Sequence, residues 1–249
     1  MHQPTERVIK ILESIKENRG GMRLAELAES LSIPKSTLLP ILTTLCENNY
    51  LTRLGDKYYG GMSLMSFQTV FKSDFPIMDF VHRELTLLTD KFGETSYFGS
   101  LDGGRVLYLD KVDSKNPLRV LTSVGTRLPA YATGIGKALL IGKDENELRL
   151  LYPDGLAPIT EKTVKDIASL AEQLRTAEAD GYAWEIEEST EYIRCFSAPV
   201  RKFGSVVFAI SLAVPVFRYE ESMKDDIINA VKEAADRIGA LLMATDPSI

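Results

Sequence analysis

Residues 24–48 read Leu24-Ala-Glu-Leu-Ala-Glu-Ser-Leu-Ser-Ile-Pro-Lys-Ser-Thr-Leu-Leu-Pro-Ile-Leu-Thr-Thr-Leu-Cys-Glu-Asn48, and their spacing decides the N-terminal fold. Leu24, Leu27, Ala28 and Leu31 lie on one face of a short helix. Ser32-Ile-Pro34 makes a tight break. A second helix over about 35–48 turns Leu38, Leu42 and Leu45 inward and leaves Ser36, Thr37, Thr44 and Asn48 on the other side. Two short helices across a three-residue turn form a helix-turn-helix, the second helix being the reader. Upstream, Val8, Ile11, Leu12 and Ile15 predict a helix over 5–18, with Thr5 as N-cap and Gly20-Gly21 as its stop. Downstream, residues 50–59 read as strand, Gly55-Asp56 turn and strand. A hairpin directly behind a reading helix is a wing. Arg53 and Lys57 flank its tip, where phosphates would lie. A three-helix protein-interaction module with a hairpin accounts less well for this order of elements.

The charge distribution points the same way. The 249-residue chain carries a formal net charge of −6. Residues 1–60 hold eight Lys/Arg against seven Asp/Glu, and the remainder holds 21 against 28. A slightly basic head on an acidic body suits a DNA-contacting N-terminus. With 45% hydrophobic and 26% charged residues the chain is not of the disordered class. No apolar run approaches the about 18 residues of a spanning helix, so no membrane partner is expected. The absence of a secretory h-region, and two cysteines too few for a disulfide framework, lead to the expectation of a cytoplasmic protein. Two histidines, no Cys-x-x-Cys and no glycine-rich phosphate cradle leave no visible source for a metal site or nucleotide cofactor. No cofactor and no enzymatic activity are expected.

Beyond the wing the pattern changes. Residues 62–73 predict a helical linker, whose Met62, Met65, Phe67 and Phe71 are too apolar to stand free in water. Another helix is predicted over 76–92. From Glu94 the period becomes two: strands over 94–101 and 106–112 flank Asp102-Gly-Gly-Arg105, a hairpin turn, and a third strand is expected over 118–124. Helices follow at about 133–142, 144–152 and 162–180. Strands over 181–187, 192–202 and 205–214 and a long helix over 220–244 close the chain. The fold class is therefore α+β: a winged helix-turn-helix at 1–61, a helical linker at 62–75, and a domain at 76–249 with a mostly antiparallel sheet flanked by helices.

Several segments carry a resemblance. Ile33-Pro-Lys-Ser-Thr37, Leu128-Pro-Ala-Tyr-Ala-Thr-Gly-Ile-Gly-Lys-Ala-Leu-Leu140, Gly181-Tyr-Ala-Trp-Glu-Ile-Glu-Glu188, Cys195-Phe-Ser-Ala-Pro-Val200 and Ala209-Ile-Ser-Leu212 stand in this order behind the winged helix. Together they resemble the IclR-type bacterial transcriptional regulators over nearly the whole chain. The resemblance implies a GAF/profilin-like effector domain, homodimers or tetramers built from them, and binding of a small organic or aromatic acid. It places Gly134, Ile135, Glu185, Ile193, Cys195 and Ser211 around the effector pocket. Thr133-Gly-Ile-Gly136 opens a helix whose N–H groups suit a carboxylate. Gly134 and Ile135 would donate them, Cys195 and Ser211 would add small polar contacts, Ile193 would form a wall, and Glu185 would accept a ligand hydroxyl or repel a second carboxylate. Gly134 also reads as a helix–sheet packing glycine, and Cys195 as a small buried hydrophobe. Lys137 reads as a structural or surface lysine.

The implied function is a DNA-binding transcriptional regulator whose small carboxylate effector modulates binding to a double-stranded operator. Base readout would rest on Lys35, Ser36, Thr37 and Thr44, with Arg53 and Lys57 on phosphates. Three departures from the family pattern are visible. Pro40 stands where a basic residue is usual, which predicts a late-starting or kinked reading helix with Ser36 as N-cap. Tyr192 stands near a usual glycine and would narrow the pocket. Glu185 stands where Asp is frequent. The alternatives are a ligand-binding or assembly module with a degraded reading helix, and an enzyme using Cys195 as nucleophile.

Overall fold

The computed structural model of the chain describes residues 2–18, 20–67, 77–117 and 122–245. It divides into two compact units, Met1–Pro76 and Ile77–Ile249.

In the first unit α1 spans Gln3–Glu17, two residues earlier than the spacing predicts. His2, not Thr5, is the N-cap, and Pro4 occupies the first turn, where its missing N–H has no helical partner to lose. Thr5 instead sits inside the helix, its Oγ1 2.9 Å from His2 Nδ1. Next come β1 (Met22–Arg23), α2 (Leu24–Leu31) and α3 (Lys35–Glu47). Ser32, at φ 53°, makes the turn between the two helices. Pro34 caps α3, and its carbonyl accepts from both Thr37 and Leu38 N–H, at 2.9 and 3.1 Å. The first turn thus nucleates ahead of Ser36, and α3 neither starts late nor uses Ser36 as its cap. Pro40, the sixth helical residue, sits inside one continuous helix and removes a single bond, to the Ser36 carbonyl. The wing strands β2 (Leu51–Leu54) and β3 (Lys57–Gly60) pair antiparallel, and β1 adds a third strand to β3. Ile11, Leu27, Leu38, Leu42, Leu51 and Tyr58 form the core. Residues 63–67 are helical, and Phe67 stacks at a tilt 6.1 Å from Tyr50. The rest of the expected linker, with Phe71, lies outside the described residues.

In the second unit α4 (Ile77–Phe92) precedes a six-stranded antiparallel sheet. Its strands are β4 (Thr95–Asp102), β5 (Arg105–Val112), β6 (Arg127–Pro129), β7 (Ala183–Ile186), β8 (Ile193–Lys202) and β9 (Ser205–Pro215). Their order is β6-β5-β4-β9-β8-β7. Gly103 and Gly104, both at positive φ (55° and 79°), make the tight β4–β5 turn. Of the strand expected over 118–124, residues 118–121 lie outside the described residues, and 122–124 are not part of a strand. The pairing partner of β5 is β6, which follows the Gly125 turn. Between the sheet halves come α5 (Gly134–Leu140), α6 (Glu145–Leu151) and α7 (Ile167–Asp180). The start of α7 is set by Asp166, which accepts from Ser169 N–H at 2.8 Å. Residues 162–166 stay outside the helix because the Thr163 hydroxyl holds the Ile159 and Thr160 N–H groups at 3.0 and 2.9 Å. The last helix, α8, is Lys224–Thr245.

The two-residue period separates the faces of the sheet. Tyr97, Ala209 and Ala213 turn toward α5 and α7 in one core cluster. Phe98, Ile210, Leu212 and Val214, the alternating positions, are buried on the opposite face, which α4 and α8 cover.

Candidate functional site

The outward face of α3 carries Lys35, Ser36, Leu39, Pro40, Thr43 and Thr44, all exposed, with Thr37 half-buried. The Thr44 hydroxyl donates to the Pro40 carbonyl at 3.0 Å and the Thr43 hydroxyl to Leu39 at 2.9 Å, so each retains an acceptor and a methyl toward solvent. Leu39 and Thr43 escape the sequence reading because a leucine in a leucine-rich helix counts as core. In fact Leu39 is 45% exposed and, with Pro40, makes an apolar patch of the kind that meets thymine methyls. On the wing, Arg53 Nε donates to the Gly55 carbonyl at 3.0 Å, with its guanidinium 5.8 Å from the Tyr58 ring centroid. Lys57 Nζ donates to the Gly20 carbonyl at 3.0 Å, which ties the wing to the loop before β1. Arg23 joins them through Asp56, whose carboxyl it holds below the usual range by a 2.5 Å hydrogen bond.

The second group of candidates lies where α5 meets β8 and β9. Thr133 caps α5, its Oγ1 accepting from Gly136 N–H at 3.1 Å. Glycine is required at both positions by close approach: a Cβ on Gly136 would stand 2.2 Å from the Ala130 carbonyl oxygen, and one on Gly134 2.8 Å from Cys195 Cβ. Gly134 therefore packs helix on sheet. It also faces a cavity, together with Ile135, Ile193, Cys195 and Ser211. Five of the six residues expected at the pocket converge on this one space. Glu185 does not reach it. It is fully buried beside Cys195, its register partner across β7 and β8. Tyr97, Tyr108, Thr133 and Ser189 also line the cavity. Tyr97 and Tyr108 meet edge to face at 5.2 Å, and their contribution was hidden until the β4–β5 register was known.

Hydrogen bonds run through the site. Ser197 donates to Ser211 at 2.8 Å. Cys195 packs beside this pair, against Gly134 and opposite Glu185 in the β7–β8 register. Glu185 Oε2 accepts from Glu188 N–H at 2.8 Å. Burial pushes the Glu185 carboxyl up to about 7 despite this donor. Burial, and then the neighbouring Glu185, push the Cys195 thiol well above its ordinary range. Burial likewise raises Tyr97 and Tyr108, which stay protonated donors. Behind them Lys137, 3% exposed, forms an ion pair with Glu188 Oε1, while Glu188 Oε2 accepts from Val164 N–H at 3.1 Å. The cavity itself is about 20 Å³, space for one water.

Tyr192 does not narrow this space. Its ring is 66% exposed, and its backbone sits at φ 64°, the left-handed region that glycine adopts without strain. Its N–H donates to Glu187 Oε1 at 3.0 Å and its carbonyl accepts from Val216 N–H at 2.8 Å, which holds the turn in place. Among the described residues no group of three His, Cys, Asp or Glu is arranged to hold a metal ion, and no helix is long and apolar enough to cross a membrane.

Known proteins match both halves of the chain. The family model described as bacterial transcriptional regulator IclR C-terminal matches residues 70–240, and the IclR helix-turn-helix domain matches residues 4–55. The HTH-type transcriptional regulator KdgR of Escherichia coli is 30% identical over 241 residues, covering 94% of this chain and 90% of that protein. The IclR structure of Thermotoga maritima superposes with a TM-score of 0.74 at 26% identity, covering 98% of this chain and all of that one. An IclR homologue of Microbacterium hydrocarbonoxydans, solved with 4-hydroxybenzoate, shares the fold with a TM-score of 0.83 at 21% identity, over 96% of this chain and 98% of that one. A winged helix-turn-helix followed by an antiparallel effector sheet, matched along both halves by these models, makes the chain a member of the IclR family of transcriptional regulators.

Proposed function

We propose that the cavity between α5, β8 and β9 is the effector site, and that its ligand is a small carboxylic acid. The observation that carries this is the convergence of Gly134, Cys195 and Ser211 on one cavity at the head of α5. The Microbacterium homologue solved with 4-hydroxybenzoate supports an acid of this size. The cavity must widen to admit the acid, which takes the Gly134 N–H at the head of α5. Tyr108 and Thr133 then offer further hydroxyls. Glu185 acts from behind Cys195 rather than by direct contact.

The protein works as a homodimer, or a dimer of dimers, with heads at 1–61 set on linkers at 62–75 and effector bodies at 76–249. The exposed Met62, Met65 and Phe67 are the apolar surface that a second copy covers. Lys35, Ser36, Thr37 and Thr44 read bases, and Arg53 and Lys57 hold phosphates. Effector binding shifts the spacing of the heads, which requires different affinity for two arrangements. No turnover is involved: a thiol held protonated by burial is a poor nucleophile. Pro40 does not argue for a disabled reader, since α3 is continuous around it.

A mobility shift on the intergenic DNA beside its own gene, at two salt concentrations and with a panel of small acids, tests this reading. A salt-sensitive shift altered by one acid, and lost with that acid in a Ser211→Phe variant that still binds DNA, is the expected result. An acid response unchanged in that variant places the effector elsewhere.

A further inference from the structure

A larger cleft lies on the other side of the Lys137–Glu188 pair. It runs between α7 and the edge strand β7, holds about 180 Å³, and is walled by Thr176, Ala177 and Asp180 of α7 and by residues 182–184. The effector cavity holds about 20 Å³, so this is the roomier of the two. Lys137 and Glu188 form its floor.

Three observations define what it can hold. First, Lys137 is buried, lines the cleft, and makes one hydrogen bond through Nζ among the described residues, to Glu188; an ammonium has three N–H donors. Second, β7 is an edge strand. Glu187, the residue after β7, donates its N–H to the Ile193 carbonyl at 2.7 Å, and in the β7–β8 register this leaves Trp184 at a position whose peptide N–H and C=O face away from β8. Third, the lining carries Glu172, Asp180 and Glu188 against Lys137 alone, which makes it negative overall. Glu172 is engaged by Arg175 on the helix surface, whereas Asp180, the last residue of α7, is exposed and lines the cleft.

We propose that this cleft is a second ligand site, for a small organic cation that also carries a neutral oxygen: an amino alcohol or a phenolic amine. The oxygen accepts from Lys137 Nζ at the floor. The apolar body lies against Ala177 and Ala183. The ammonium meets Asp180 and the Trp184 carbonyl at the rim. A carboxylate at the floor would face Glu188 and is excluded, so the charge preference is opposite to that of the effector cavity. Because Glu188 also donates to Glu185 through its N–H, a ligand on Lys137 touches the network behind Cys195.

The test is calorimetric titration of the full-length protein with tyramine, read in parallel through Trp184, the single tryptophan of the chain. Saturable binding with a change in Trp184 emission is expected. Asp180→Asn should weaken it about tenfold, the loss of one charge-assisted hydrogen bond. Thr176→Phe, at an exposed position where folding is not at risk, should block the cleft and abolish it. 4-Hydroxybenzoate, the same ring with the opposite charge, should show no component sensitive to Thr176→Phe. No binding of tyramine at millimolar concentration, binding that survives Thr176→Phe, or a Thr176→Phe-sensitive response to 4-hydroxybenzoate equal to that for tyramine would each overturn the proposal.

Discussion

Glu185 and Cys195 face each other as register partners across β7 and β8, with the Glu185 carboxyl fully buried. This pair sets the electrostatics beneath the cavity. A carboxyl raised to about 7 in the folded protein keeps a proton that the unfolded chain releases near 4.5. The folded state therefore binds more protons in that window, and stability falls as pH rises from 4.5 to about 7. The expected fall is about 3 kcal/mol. Urea melts followed through Trp184, which neighbours Glu185 on β7, should show this slope in the native protein. Glu185→Gln should remove it. An unchanged slope in the variant would mean that another group titrates.

The same carboxyl should tune effector binding. An anionic ligand beside Glu185 favours its protonated form, so affinity for a small acid should decline above about pH 7. In Glu185→Gln the affinity should be flat across that range. Calorimetry in buffers of different ionisation enthalpy would reveal the proton taken up.

Lys137 and Glu188 form a buried ion pair, so breaking it should be costly. Lys137→Met alone, which strands a buried carboxylate, should destabilise the second unit by about 3–5 kcal/mol. Lys137→Met combined with Glu188→Gln should cost clearly less than the sum of the single changes. Additive costs would show that the pair is not coupled.

Pro40 leaves the Ser36 carbonyl without its helical donor. Pro40→Ala should restore that bond and stabilise the first unit by about 1–3 kcal/mol. It should also remove part of the apolar patch on the reading face. Thermal melts and a binding-site selection on the variant separate the two effects.

Arg53→Ala should weaken DNA binding almost uniformly across sequences and lower the salt slope by about one. Leu39→Asn should leave the salt slope unchanged and relax the preference at a thymine position. If Arg53→Ala altered sequence preference instead, Arg53 would be reading bases rather than phosphate.

Much of this molecule was legible in the chain alone. The stripes Leu24–Leu27–Leu31 and Leu38–Leu42–Leu45 fix two helices and their inward faces, because a 3.6-residue period has no other way to bury leucine. Gly103-Gly104 marks its hairpin through the positive φ that both residues adopt. Gly134, Ile135, Cys195 and Ser211 lie in segments that carry the family resemblance, Ile193 lies just outside them, and all five line one cavity.

Tertiary structure alone decided the rest. The start of α3 depends on the Pro34 carbonyl accepting two N–H groups, a local geometry that propensity does not encode. Among the described residues β5 pairs on its outer side with β6, because that pairing is set by where the Gly125 turn returns the chain. Tyr192 points to solvent because its left-handed backbone turns the ring away. Lys137 and Glu188 read as ordinary charges in sequence, and Glu185 as a residue of the pocket. They become a buried network only when α5, β7 and the loop after it close together, because the cost and the compensation of burying a charge are properties of the packed interior and not of the residue.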